Sequence, residues 1–260
     1  MILDYIAASV RKRLEAQKKR VPLDEVKNLT QADIKGDFPF ETALRSGGMS
    51  FICEIKRASP SKGHIVSAFP YLQIAEEYEA AGANAVSVLT EPDYFLGSTK
   101  YLKEIRERVS LPLLRKDFIV DEYQIYESKI IGADAILLIC ALLDADTLKK
   151  YLDLSRALGL SALVEAHDAE EVSKAVSAGA RIIGVNNRNL NTFEVDIHNC
   201  IRLRPLVPDE ILFVAESGIK TADDIKALKK AKVDAVLIGE TLMRSADKIA
   251  ALDELKGGGE

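Results

Sequence analysis

The chain has 260 residues, of which 48% are hydrophobic and 29% are charged, and this is ample material for the core of a soluble globular protein. Its formal net charge of -5, with both signs interspersed, argues against a broad basic surface for nucleic acid. No apolar run approaches the ~20 residues of a membrane span, and the charged N-terminus is unlike a secretory signal. We therefore expect a cytoplasmic protein without nucleic-acid or membrane partners, and a monomer.

The three cysteines, Cys53, Cys140 and Cys200, are far apart and lie mostly inside apolar runs. Their odd number and wide spacing fit buried free thiols in a reducing compartment better than a disulfide framework. None of them has the spacing of a metal ligand, so we expect no metal site.

Near the N-terminus, apolar residues recur at helical spacing. They are Leu3, Ile6, Ala7, Val10 and Leu14, and a polar stretch that contains proline follows them. Residues 1–48 are therefore predicted to form a helical extension. Residues 49–260 are predicted to form the barrel described next, with the extension packed on it.

From Ser50 onward, short runs of β-branched residues alternate with amphipathic segments, a pattern typical of βα units. Eight strands are predicted: Phe51–Lys56, Ala85–Leu89, Leu113–Lys116, Ala135–Ile139, Ser161–Glu165, Ile182–Asn186, Leu212–Glu216 and Ala235–Ile238. Related segments enter every second strand at intervals of ~50 residues, as a repeat of two βα units requires. Those segments are Ala81–Ala85, Ile131–Ala135, Ala178–Ile182 and Ala231–Ala235.

Eight strands and eight helices in ~200 residues, with continuously apolar strands, favour an α/β fold of the closed (β/α)8 TIM-barrel type. An open doubly wound sheet is the lesser possibility. Such a sheet often binds a dinucleotide through a glycine-rich turn after its first strand, but Gly63 stands alone at that place.

The predicted strand ends are polar, and in a (β/α)8 barrel the active site forms at these ends. Glu54 and Lys56, two residues apart, point to the same side of the first strand, and their burial is costly unless they are paired or used. Lys116, Glu165 and Glu216 lie at the ends of later strands. Like charges on one rim repel each other unless a ligand or counter-charges are present, so we predict an active site there.

Two segments suit a phosphate group. Residues 59–63, Ser-Pro-Ser-Lys-Gly, offer hydroxyls, backbone N–H groups and an ammonium. Gly218 and Gly239 let the backbone approach a ligand after strands seven and eight, where this fold commonly binds phosphate. We favour the second location and interpret the first loop as a mobile cover over the site. The alternative is that the two glycines only form tight turns.

Six motifs, in matching order along the barrel, resemble those of indole-3-glycerol-phosphate synthases, and the helical extension resembles the N-terminal segment of that family. The motifs are Glu54–Gly63, Leu114–Phe118, Leu163–His167, Gly184–Arg188, Ala215–Ile219 and Leu237–Gly239. The resemblance implies that 1-(2-carboxyphenylamino)-1-deoxyribulose 5-phosphate is cyclised, decarboxylated and dehydrated to indole-3-glycerol phosphate in tryptophan biosynthesis. It also implies no metal and no organic cofactor, because the substrate's own iminium is the electron sink.

The resemblance further implies roles for the charged residues on the rim. Lys116 is expected to be the general acid of ring closure and Glu165 the base of dehydration. Lys56, oriented by Glu54, is expected to position the carboxylate that is lost and to assist departure of the hydroxyl.

Other polar and apolar positions are expected to bind and orient the substrate. Asn186 and Glu216 would share the polar network around the reacting carbons, and Arg188 would bind sugar hydroxyls or the carboxylate. The remaining predicted binding groups are Ser59, Phe118 with Leu137 or Leu138 at the aromatic ring, and Ser217, Gly218, Gly239 and Glu240 at the phosphate.

Three positions need separate comment. Glu240, where the family often has serine, places a carboxylate close to the predicted phosphate. Tyr5 is the aromatic residue that the first helix offers for the family's aromatic contact with the substrate. His167 and Asp168 are interpreted as the cap of the following helix rather than as catalytic groups.

Two other functions are compatible with these residues. One is an aldolase of the same fold, in which Lys116 or Lys56 forms a Schiff base with a phosphorylated sugar. The other is a barrel that binds a phosphorylated ligand without turnover, although such a protein has no need for two lysines and Glu165 on one rim.

Overall fold

A computed structural model of the chain describes residues 2–30, 36–45, 47–66, 68–189 and 192–257. Eight parallel strands close into a barrel. They are β1 Ser50–Ile55, β2 Ala85–Leu89, β3 Leu113–Lys116, β4 Ala135–Ile139, β5 Ser161–Ala166, β6 Ile182–Asn186, β7 Leu212–Glu216 and β8 Ala235–Ile238. Because β1 pairs with β8 as well as with β2, the sheet has no edge. The predicted closed barrel is confirmed, and the open sheet is wrong.

Two of the predicted strands have limits that differ by one residue from those observed. β1 begins at Ser50 and ends at Ile55, so Lys56 lies just beyond the strand. The pairing of β1 with β2 ends at Ile55, opposite Val88. β5 continues to Ala166, and the other six strands have the predicted limits.

Helices precede the barrel and connect its strands. They are α1 Ile2–Arg20, α2 Leu23–Thr30, α3 Pro39–Leu44, α4 Tyr71–Ala80, α5 Thr99–Arg106, α6 Glu122–Ile130, α7 Ala145–Ala157, α8 Ala169–Ala178, α9 His198–Leu203, α10 Ala222–Lys230, α11 Glu240–Arg244 and α12 Lys248–Lys256. Side chains that accept a backbone hydrogen bond begin several of them, such as Asp121 at α6 and Asp247 at α12. Among the described residues, no helix combines the length and the apolar character that crossing a bilayer requires.

The repeated glycine before every second strand ends a helix in the left-handed conformation. Gly132 and Gly179, for example, have φ angles of 86° and 87°. At the fourth repeat Lys232 adopts the same conformation, with a φ of 59°. The backbone path is therefore conserved across the repeats even where the residue is not glycine.

Strand residues alternate between two apolar layers. Ile52 packs inside the barrel with residues of α1 and α3, whereas Cys53 packs with the surrounding helices. Cys53 thus points away from the barrel interior, as the alternation predicts. All three cysteines are buried free thiols, which confirms that prediction.

Helix α1 is tied to the barrel by charged and polar contacts. Arg13 lies 3.0 Å from Glu91, and Lys18 lies 2.6 Å from Asp121. Glu91 also accepts hydrogen bonds from the backbone N–H groups that follow it, so its role at this strand end is structural. The division of the chain between residues 48 and 49 stays a prediction.

Candidate active site

A cavity of about 750 Å³ opens at the carboxyl ends of the strands. A volume of this order suits a drug-sized ligand. Thirteen of the residues predicted to be catalytic or to bind substrate line it: Glu54, Lys56, Ser59, Lys116, Phe118, Glu165, Asn186, Arg188, Glu216, Ser217, Gly218, Gly239 and Glu240. The structure therefore brings the predicted residues together around one space, while their individual roles stay predictions.

Lys116 lies between two buried carboxylates. Its Nζ is 2.9 Å from Glu165 Oε2 and 3.1 Å from Glu216 Oε2. β3 ends at Lys116, and the ends of β5 and β7 present the two glutamates to the same interior. One cation thus serves two anions, and a proton on one carboxylate would balance the charge.

The protonation states within this cluster follow from burial and from the charges nearby. Burial alone would lower the pKa of Lys116, but Glu165, Glu216 and Glu54 hold it well above its usual value. Burial opposes ionisation of Glu165, yet Lys116 and His167 keep its pKa well below the usual range. Burial, only partly offset by Lys116, raises the pKa of Glu216 to about 7. The cluster therefore contains a charged lysine, an ionised Glu165 and a Glu216 that titrates near neutrality.

Two glycines make room for the carboxylates. A Cβ at Gly184 would overlap Glu216 Oε1, and a Cβ at Gly239 would overlap Glu54 Oε1. Gly239 was predicted for its close approach to phosphate, and the structure shows that it also accommodates the Glu54–Lys56 ion pair. Gly184 belongs to a motif visible in the sequence. Its contact with Glu216 on the adjacent strand, however, is set by the register of β6 with β7.

Asn186 ends β6, Arg188 follows it, and the two side chains have different partners. The Asn186 side chain donates a hydrogen bond to Glu165 Oε1 at 3.3 Å and accepts one from the backbone N–H of Arg188 at 3.0 Å. The Arg188 guanidinium reaches the carbonyl of Phe193 at 3.2 Å. Asn187, between them, is buried and donates to the carbonyl of Ser217, so it ties the loop after β6 to the loop after β7.

At the predicted phosphate end, the loops after β7 and β8 are joined. Thr241 Oγ1 donates a hydrogen bond to the carbonyl of Ile219 at 2.8 Å. The Glu240 carboxylate turns to Arg244, whose Nε lies 3.1 Å away, and to Lys62, at 3.8 Å. These cations compensate the acidic residue that departs from the family pattern, so its charge need not repel a phosphate.

His167 was interpreted only as part of a helix cap, and that view is incomplete. Asp168 does cap α8, accepting a hydrogen bond from the Glu171 N–H at 2.9 Å. His167, however, lies between Glu165 and Glu171, at 3.3 Å and 3.0 Å. The signal was present in the sequence, because His167 follows Glu165 by two residues, the same spacing that pairs Glu54 with Lys56.

The apolar side of the cavity was only partly predicted. Phe118 lines it, with its ring centroid 5.8 Å from that of Phe95. Of the two candidates on β4, Leu137 lines the cavity, while Leu138 packs in the outer layer. Tyr5 is 69% exposed and does not line the cavity; from α1 the cavity receives Ile2, Leu3 and Ile6 instead. Among the described residues, no group of His, Cys, Asp and Glu is arranged to hold a metal ion.

The fold and this cavity define a (β/α)8-barrel enzyme with a buried lysine–carboxylate site. A family model described as indole-3-glycerol phosphate synthase matches residues 3–255. The chain belongs to the indole-3-glycerol phosphate synthase family. Its activity is that of this decarboxylating lyase in tryptophan biosynthesis, acting on a phosphorylated small molecule.

Individual relatives agree with the family match. The protein named indole-3-glycerol phosphate synthase from Ruminiclostridium cellulolyticum is 61% identical over 258 residues, which cover 99% of each chain. The one from Endomicrobium trichonymphae is 55% identical over 98% of this chain and 100% of its own. A solved structure of 3-hexulose-6-phosphate synthase from Salmonella typhimurium has a TM-score of 0.66 at 15% identity, covering 80% of this chain and 97% of that chain. At that identity the likeness shows the fold alone.

Proposed function

We propose that Lys116 is the general acid of ring closure and that Glu165 is the base of the later dehydration. The observation that carries this proposal is the position of Lys116 Nζ, held charged at the cavity wall by Glu165 and Glu216. A charged ammonium in a low-dielectric cavity can protonate the ribulosyl carbonyl as the aromatic carbon attacks it.

The same geometry supports a second use of Glu165. While Lys116 carries its proton, the ammonium keeps the pKa of Glu165 low, and the carboxylate is a weak base. When that proton passes to the substrate, the positive charge leaves a position 2.9 Å from Glu165. The basicity of Glu165 then rises, at the stage when a proton must be removed.

Lys56 is proposed to hold the carboxylate that is lost as carbon dioxide. Its ammonium contacts Glu54, which is buried and fixes its direction, and Gly239 leaves space for the pair. The substrate carboxylate would share this cation with Glu54 until decarboxylation removes the negative charge.

The two ends of the substrate are proposed to take opposite ends of the cavity. The aromatic ring would pack between Phe118, Phe95 and Leu137, which supply an apolar wall. The phosphate would lie at the backbone of Ser217, Gly218, Gly239 and Glu240. Arg188 would contact the hydroxyls of the sugar or the carboxylate, and Ser59 would close over the substrate from the loop after β1.

An aldolase mechanism is less well supported, because a Schiff base begins with a neutral amine. Burial favours the neutral form of Lys116, but three carboxylates outweigh it and raise its pKa above the usual value. The non-catalytic alternative does not agree with the activity of the family.

The test is turnover of 1-(2-carboxyphenylamino)-1-deoxyribulose 5-phosphate, followed by the fluorescence of the indole product. The chain contains no tryptophan, so the product is observed without an indole background. We expect product from the native enzyme and no borohydride-stable adduct on Lys116 or Lys56. An adduct on either lysine, found by peptide mass spectrometry, would overturn the acid role in favour of a Schiff base.

We also propose that the enzyme is a monomer in the cytoplasm. Its three buried cysteines are free thiols, which suits a reducing compartment. Light scattering after size exclusion should give a mass near 28.5 kDa, and a mass twice as large would contradict the monomer.

A further inference from the structure

Behind the lysine–carboxylate cluster, His167 lies between a site carboxylate and a helix carboxylate. Its Nδ1 is 3.0 Å from Glu171 Oε2, the oxygen that also accepts the His167 backbone N–H at 2.8 Å. Its Nε2 is 3.3 Å from Glu165 Oε1 and has no well-aligned hydrogen-bond partner among the described residues. The His167 carbonyl accepts from the Asn199 side chain at 3.1 Å, which fixes the backbone as well.

The charges around His167 favour its cationic form. On α8 they include Glu171 and Lys174, and Asp168 caps that helix. Lys174 donates to the carbonyls of Cys140 and Leu143, at 2.8 Å and 3.1 Å. Glu165 faces it from β5. Cys140, near Glu171, has a pKa that burial raises to about 12, so this thiol stays neutral. Although burial opposes the charge of His167, the carboxylates of Glu165 and Glu171 raise its pKa to about 10.

The two oxygens of Glu165 have different neighbours. Oε2 contacts Lys116, whereas Oε1 lies 3.3 Å from both the Asn186 amide and His167. In the proposed function Lys116 gives its proton to the substrate, and Oε2 then loses its cation. The cation on the other oxygen stays, because Glu171 rather than the substrate holds it.

We propose that His167, anchored by Glu171, is a positioning residue that keeps Glu165 ionised and oriented while Lys116 engages the substrate. This inference rests on the proposed function and deepens it. His167 forms no bond with the substrate and does not line the cavity; it acts through Glu165.

The test compares His167→Gln and Glu171→Gln with the native enzyme. Turnover by the native enzyme is measured first, since its absence would refute the proposed function rather than the role of His167. The kcat and KM of each protein are then followed over a broad pH range. Loss of the cation raises the low pKa of Glu165, so the limb of the kcat profile that lies on the acid side of the Glu216 titration should move upward by about 1 pH unit or more.

We expect kcat of His167→Gln to fall about 10- to 100-fold at neutral pH with a KM within about threefold of the native value. Glu171→Gln should shift the same limb in the same direction by a smaller amount. Asp247→Ala, which removes a comparable helix cap from α12, is the control for a purely structural effect. It should lower Tm without moving the pH profile.

The proposal would be overturned if the pH profile of His167→Gln were unchanged, or if this variant, like the control, showed only a lower Tm. If His167→Gln does not fold, Glu171→Gln decides. A native acidic limb in that folded variant would equally overturn it, because His167 would have lost the negative charge of Glu171 without effect on Glu165.

Discussion

Arg115 and Lys116 are consecutive, and each is paired with two carboxylates. Arg115 is buried and Lys116 is half-buried, and their side chains lie on opposite sides of β3. Arg115 faces outward and is 3.0 Å from Asp117 and 2.7 Å from Glu127. Its remaining contacts include the Gln124 carbonyl and Ser128 Oγ, each at 3.2 Å. Lys116 faces the cavity, where Glu216 Oε1 has no hydrogen-bond partner among the described residues.

The two clusters differ in whether their polar atoms all have hydrogen-bond partners. Arg115 and its partners form a connected network, which is what a structural ion pair in a protein interior requires. The Lys116 cluster has fewer donors than its carboxylates can accept, and it borders open space. A buried charge therefore indicates chemistry when its partners are incomplete and a cavity adjoins it.

The largest effect should come from Lys116→Met. Removal of the proposed acid should lower kcat by about 10²- to 10⁴-fold, because no other cation in the described part of the chain contacts both Glu165 and Glu216. Steady-state indole formation measures the loss, and Lys149→Met, on the exposed side of α7, should leave kcat unchanged. Near-native kcat in Lys116→Met would mean that Lys116, like Arg115, has only a structural role.

Arg115→Met should instead act on stability. It leaves the buried Asp117 and the half-buried Glu127 without their cation. Removal of one partner of a buried ion pair typically costs about 3–5 kcal/mol of unfolding free energy. Urea denaturation followed by circular dichroism measures the loss. The fraction that remains folded should keep its kcat, and a large fall in kcat per folded molecule would mean that Arg115 also serves the reaction.

Gly184→Ala should damage the site without removing any charged group. The added methyl overlaps Glu216 Oε1, so Glu216 and Lys116 must move, and kcat should fall about 10- to 100-fold. Gly36→Ala, which meets no atom within 4 Å, is the matched control. Equal kcat in both variants would show that the position of Glu216 does not matter for turnover.

Glu216→Gln should change how stability depends on pH. In the folded protein the pKa of Glu216 is raised to about 7, while in the unfolded chain the carboxyl has its usual value of 4.5. Between these values the folded state binds more protons, so this group's contribution to stability is full at low pH and is lost as pH rises to about 7. The variant should show a flatter profile across that window in urea titrations.

Glu127→Gln, on α6, which packs outside β3, provides the contrast. It removes a partner of Arg115 and should lower the unfolding free energy at every pH in the same window. If Glu216→Gln shows the native slope instead, Glu216 is not the group that titrates near neutrality.

Much of this arrangement could be predicted from the sequence. Alternation along a strand places Glu54 with Lys56 and turns Cys53 away, and the eight strands were predicted to within one residue at each end. The predicted rim residues share one cavity because the carboxyl ends of parallel strands meet.

Contacts between distant segments could not be predicted in this way. Glu240 meets Arg244 on its own short helix, but its approach to Lys62 depends on the path of the loop after β1. The space that Gly184 leaves for Glu216 depends on strand register, which no local pattern contains. Tyr5 was selected for its ring alone, whereas the rotation of α1 turns Ile2, Leu3 and Ile6 to the cavity.

In the proposed mechanism, carboxylates keep Lys116 charged while it faces the substrate. The most direct measurement is a pH titration of lysine Cε chemical shifts in the labelled protein, with the Lys116 signal assigned by its absence in Lys116→Met. We predict that this signal keeps its protonated shift beyond the usual lysine pKa of 10.5. Titration at neutral pH would contradict the account, because Lys116 would then be a neutral amine ready to form a Schiff base.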